Sequence, residues 1–95
     1  TYAKKVFGMF SGKEQTVRLR VANHLVGAIL DRFGKDVSII PDGEEHFTVS
    51  VDVIVSPQFF GWISGFGPDA VITGPNDVVE QMRRNISAIN EQYQK

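Results

Sequence analysis

The sequence predicts an α+β fold, with strands and helices in the order β-α-β-β-α-β and one further helix at the end. Three observations carry this. Residues 15–21 (QTVRLRV) and 46–55 (HFTVSVDVIV) alternate apolar and polar residues with period two, as half-buried strands do. Residues 22–33 place Ala22, Leu25, Val26, Ile29, Leu30 and Phe33 on one side of a helix. The segment 57–75, PQFFGWISGFGPDAVITGP, joins a helix start, an aromatic cluster, a short apolar strand and a second helix start.

Each element has its own local signal. In the first strand Val17, Leu19 and Val21 share one face, and Thr16, Arg18 and Arg20 the other. Asn23 is an expected N-cap for the first helix, and Gly34 its stop. Residues 36–41 (DVSIIP) read as a second strand, and Asp42-Gly43 as the hairpin turn into the third. Phe47, Val49, Val51 and Val53 form that strand's apolar face. Ser56-Pro57 reads as an N-cap followed by proline at the first helical position. The helix so opened holds Phe59, Trp62, Ile63 and Phe66 at core spacing and is expected to end near Gly67, its C-cap. Phe60 falls off that stripe and is an expected exposed contact; Gly65 is expected to let the helix approach the sheet closely. Residues 69–73 (DAVIT) form a fourth strand, and Pro75 or Asn76 opens a last helix with Val78, Val79, Met82, Ile86, Ile89 and Tyr93 as its apolar stripe.

This order is the ferredoxin-like split β-α-β pattern. Right-handed crossovers place both inner helices on one face of an antiparallel sheet, with the first and third strands central. The last helix is left to pack at an edge, over the other face or against a partner.

Ninety-five residues make one domain, and 42% hydrophobic residues supply a real core. Ten basic and eleven acidic residues give a net charge of −1, which argues against a domain built mainly to grip a nucleic acid backbone. The absence of cysteine excludes a disulfide framework and a cysteine zinc site, and suits a cytoplasmic setting. No apolar run approaches the roughly 20 residues of a membrane span. Residues 1–14 mix lysines, glycines and apolar residues without an initiator methionine or a signal sequence. They read as a connector from a missing preceding domain, with the folded domain at 15–95.

The chain offers little reaction chemistry. His24 and His46 have no second ligand at fixed spacing, and no nucleophile–base pair is visible, so neither a metal nor an enzymatic activity is expected. Gly65-Phe66-Gly67 ends a helix, whereas a phosphate fingerprint follows a strand and opens one, so no nucleotide cofactor is expected. The polar face of the central strands is the better candidate. Arg18, Arg20 and Asp52 should lie there together, either as a cross-strand ion pair or as an anion- or nucleotide-facing surface. Thr48 and Ser50 share the face, and none of these is an aromatic that could stack on RNA bases. Arg83 and Arg84 fall on the solvated side of the last helix.

The succession of VRLRV, a helix ending DRF, a DG hairpin, FFGWISGFGPDAVITGPNDV and a helix ending at a tyrosine resembles the C-terminal extension (WCX) domain that follows the WYL domain in bacterial transcriptional regulators. Trp62, Gly65-Phe66-Gly67, the alternation around Val71 and Ile72, and Pro75 carry the likeness over residues 5–93. The resemblance implies a ferredoxin-like module that helps dimerisation and couples ligand sensing to DNA binding. DNA would be held by a helix-turn-helix domain that this chain lacks, and the effector would be a nucleic acid or nucleotide. The Trp-Tyr-Leu motif is absent, and Gly61 stands where the family often has a basic residue; the basic strand position is kept as Arg20. The alternative is an ACT-like module sensing a small metabolite. Its usual glycine is missing from the first strand–helix junction, Val21-Ala22-Asn23.

Overall fold

The computed structural model describes residues 13–95. The expected connector lies outside the described residues except for its last two positions, and Glu14 already belongs to the first strand. The elements are β1 (Glu14–Ala22), α1 (Val26–Phe33), β2 (Ile39–Asp42), β3 (His46–Ile54), α2 (Pro57–Ser64), β4 (Ala70–Gly74) and α3 (Asn76–Tyr93). Short 3-10 turns at Asn23–Leu25 and Gly67–Asp69 precede α1 and β4.

The sheet runs β2-β3-β1-β4 with every pairing antiparallel, so β1 and β3 are central as expected. Their register sets Val17 opposite Val51, Leu19 opposite Val49 and Val21 opposite Phe47. All six are buried, and with Ile29 and Phe33 of α1 and Phe59 and Ile63 of α2 they form one core. Both inner helices therefore cover one sheet face, and the other face is open. α3 docks beside β4: Val78 is fully buried in the core, and Val79 and Met82 pack against it.

Local signals act largely as read. Ser56 Oγ accepts from the backbone N–H of Phe59 at 3.2 Å and caps α2. Ser56 is itself buried, so Ser56→Ala leaves that N–H without a partner and is expected to cost about 1–2 kcal/mol. Urea unfolding should show a lower midpoint at unchanged slope, with Ser56→Asp recovering part of the loss. Gly43, at φ 76°, makes the hairpin turn.

Four expectations change. Asn23 is not an N-cap: its side-chain amide donates to the Glu44 carbonyl and its backbone N–H to the Glu45 carbonyl, both at 2.9 Å. It clamps the hairpin, and α1 starts three residues later without a side-chain cap. α2 ends at Ser64 with Gly65 as its cap residue, while Gly67, at φ 65°, redirects the chain into the turn before β4. A methyl group on Gly65 would meet the carbonyls of Trp62 and Gly61 at 3.3 and 3.5 Å, so Gly65 is tight against its own helix and not against the sheet. Phe60 is only 7% exposed, its ring 5.9 Å from that of Phe59. The reason is α3, whose Gln81, Arg84 and Asn85 line the same cleft as Phe60.

Candidate functional site

The open sheet face carries the polar half of each alternation. Thr16, Arg18, Arg20, Thr48, Ser50 and Asp52 occupy its centre, and Ile40 and Val71 flank it on the outer strands. Ile40 is 60% and Val71 46% exposed. Among the described residues no phenylalanine, tyrosine or tryptophan projects from this face, so it offers no platform for stacking bases.

The structure brings Arg18, Arg20 and Asp52 onto one face but does not pair them. The cross-strand Arg–Asp pair exists with a different carboxylate. Arg20 Nε donates to Asp42 Oδ2 at 2.8 Å, reaching across β3 to the end of β2. Asp42 alternates onto this face two residues after Ile40, and two strand spacings (about 10 Å) are within an arginine's span. Both side chains are 45% exposed, which holds the pair to at most about 1 kcal/mol. Asp52 lies opposite Thr16 in register and accepts from its hydroxyl at 2.5 Å.

Arg18 is held differently. The β1–β4 register shifts between Arg18 and Leu19, a bulge that leaves Thr73 as the extra residue. The Thr73 hydroxyl donates to the Arg18 carbonyl at 3.3 Å. Arg18 then pairs with Gly74, and its guanidinium lies over that glycine. A Cβ built there would stand 2.6 Å from one guanidinium nitrogen, so only glycine admits this pose. No described residue forms an ion pair with this guanidinium. Of the two arginines, Arg18 is the one available to an external anion, and Ser50 lies beside it in the β1–β3 register.

His24 and His46, far apart in the chain, line one shallow cleft with Glu44, Glu45 and Asp69. His24 Nε2 lies 3.2 Å from Asp69 Oδ2. Both side chains are well exposed, and among the described residues no three such groups converge on a metal position.

The aromatic cluster is structural. Trp62 meets Phe33 and Phe66 edge to face, with centroids 5.5 and 5.0 Å apart. Beside it α2, β4 and α3 enclose an apolar groove of about 500 Å³, lined by Ile63, Val71, Ile72, Val79, Met82 and Ile86. From the groove's end onward the stripe of α3 loses cover: Ile86, at the groove, and Ile89 are 52% and 50% exposed, and Tyr93 is 86% exposed. Arg83 also borders the groove and pairs with Glu80 at 2.6 Å in solvent, whereas Arg84, at the Phe60 cleft, reaches the Glu80 carbonyl with Nε at 3.4 Å. Among the described residues no helix is long and apolar enough to cross a membrane.

The family model described as the WCX domain matches residues 13–89. Its span runs from the last residue before β1 to within four residues of the end of α3. Among curated proteins there is no match.

Proposed function

The chain belongs to the WCX domain family, and on that premise we propose that it is the C-terminal regulatory and oligomerisation domain of a WYL-type, DNA-binding transcriptional regulator. It carries out no chemistry. It holds two copies of the regulator together in the cytoplasm and passes the state of a ligand-sensing domain to the DNA-binding one. The observation that supports self-association best is α3, an 18-residue helix whose first turns enter the core while its apolar stripe continues uncovered. A helix with a half-exposed isoleucine pair and an open tyrosine in its last turns is suited to a protein partner. Sedimentation velocity of the 95-residue chain across micromolar to millimolar concentration is expected to show a dimer. A strict monomer throughout would overturn this role.

The availability of Arg18 favours a second component, contact between the open face and an anionic group of the effector or of the neighbouring domain. A guanidinium lying over Gly74 with a serine beside it suits a phosphate or carboxylate. In a thermal-shift screen against nucleotides and amino acids, stabilisation by a nucleotide that is lost in Arg18→Ala and kept in Arg20→Ala is the expected result. A reproducible amino-acid response untouched by Arg18→Ala would favour the ACT-like alternative.

A further inference from the structure

Val79, Met82, Ile86, Ile89 and Tyr93 follow one another at intervals of three, four, three and four residues. That is the a/d spacing of a coiled-coil seam. A helix serving only its own domain carries a broader stripe, about three to four apolar residues per two turns. α3 has that breadth only at its start, where fully buried Val78 lies beside Val79. The rest of the seam is narrow, and its exposure rises along the helix from partly buried Met82 through half-exposed Ile86 and Ile89 to Tyr93. Because Val79, Met82 and Ile86 line the apolar groove, the heptad spacing sets Ile89 and Tyr93 on the same line, past the groove's end.

We propose that this seam packs against the α3 seam of a second copy, the two helices antiparallel about a two-fold axis between Ile86 and Ile89, with each Tyr93 entering the other copy's groove. This rests on the self-association reading above and adds the partner face, the register and the anchor. Antiparallel seams pair an a position with a d position. Here Ile86 meets the partner's Ile89, and Met82 meets the partner's Tyr93. The tyrosine thus arrives where each domain has an unfilled apolar space walled by Ile63, Ile72 and Val79. Ser64 lies at the same groove and donates its hydroxyl to the Phe60 carbonyl at 2.7 Å, so its oxygen remains able to accept from the tyrosine hydroxyl. A buried tyrosine needs such a partner.

Parallel pairing meets neither condition. It stacks the two Tyr93 side chains on each other and leaves both grooves empty. It also sets the two Arg83 side by side, whereas antiparallel order separates them by about 13 Å along the axis. The other residues flanking the seam, Asn85, Asn90 and Gln92, are uncharged amides, so no row of like charges opposes the approach. Each tyrosine removes about 150–250 Å² from water. The groove walls and the half-exposed Ile86 and Ile89 of each copy add further apolar area to the contact.

The test uses the 95-residue chain, which has no cysteine of its own. Met82→Cys and Tyr93→Cys chains are oxidised separately and mixed, at high concentration. The expected result is a cross-linked dimer from the mixture and none from either alone, together with a dimer constant at least tenfold weaker in Tyr93→Ala and Ile89→Asp. Tyr93→Phe should keep most of the association. Self-linking of each single variant would overturn the antiparallel register. A dimer that Tyr93→Ala and Ile89→Asp leave unchanged would overturn the helix interface while the self-association reading stands. A chain monomeric at every concentration would overturn both.

Discussion

Phe59→Ala is expected to lower the stability of the domain by about 3–5 kcal/mol, the largest loss for any single truncation in the core. Phe59 is completely buried and is the largest of the fully buried side chains. It stands in the first turn of α2, where the Ser56 cap anchors its own backbone N–H. Its ring fills the space between the helix and the sheet, in contact with the core that Val17, Leu19 and Val53 build from below. Truncation removes the transfer free energy of a benzyl group and leaves a cavity that the capped helix and the four-stranded sheet cannot collapse into.

A domain of this size holds about 5–15 kcal/mol in total. The variant therefore loses about a fifth of it or more, and the thermal midpoint should drop by roughly 15–30 °C. Urea unfolding with far-UV circular dichroism measures it, with wild type and variant sharing one slope. A loss below about 1 kcal/mol would mean that α2 is not seated on the sheet as described. Phe66→Ala, at a half-buried position packed edge to face on Trp62, should cost distinctly less.

The contrast between these phenylalanines also shows what could be read in advance. Period-two alternation in 15–21 and 46–55 placed β1 and β3 to within a residue or two, because each strand has one dry face and one wet one. Ser56-Pro57 placed the start of α2, since a cap is a local hydrogen bond within three residues. The misreadings share a different cause. Phe60 is off the stripe of α2 when the helix faces one surface only; it is buried because α3, folding back some twenty residues later, supplies a second. Asn23 has the right chemistry for an N-cap, but its side-chain amide and backbone N–H are taken up by the hairpin carbonyls of Glu44 and Glu45.

The candidate surface divides in the same way. That Arg18, Arg20 and Asp52 share a face follows from alternation alone. Which of them is free does not. Arg20 is neutralised by Asp42, a residue the local sequence marks only as a turn former, and its placement on the open face follows from strand order. Arg18 lies over Gly74 of the adjoining edge strand, through a bulge that no short-range pattern encodes. Membership of the WCX family covers residues 13–89 and supports the fold and the place of the domain in its regulator. It does not distinguish one arginine from the other, and the register does.

Val78→Asp is the second large effect, and it separates the two halves of α3. Val78 is fully buried at the third residue of the helix, where the chain leaves β4 through Gly74-Pro75 and the N–H groups of Val78 and Val79 both bond the Pro75 carbonyl at 3.1 Å. A carboxylate in a first helical turn is ordinarily favourable by about 0.3–1 kcal/mol through the helix dipole. Here that gain is outweighed. Removing the buried valine forfeits about 1.5–3 kcal/mol of apolar burial. The carboxylate that replaces it is walled in by the core, and its desolvation costs several kcal/mol more. The helix must undock or the domain unfold. The expected signature is a transition lowered by at least 3 kcal/mol, or a folded sheet from which limited proteolysis strips α3. Ile89→Asp, eleven residues further along the same helix and half exposed, should leave the unfolding midpoint of the dilute chain within about 0.5 kcal/mol of wild type while abolishing self-association. On the proposed dimer the early turns of α3 answer to the core of their own domain and the late turns to the second copy, and these two substitutions report on each separately. Equal stability loss in both would place the whole helix in the monomer's core, and no loss in Val78→Asp would detach the helix from it.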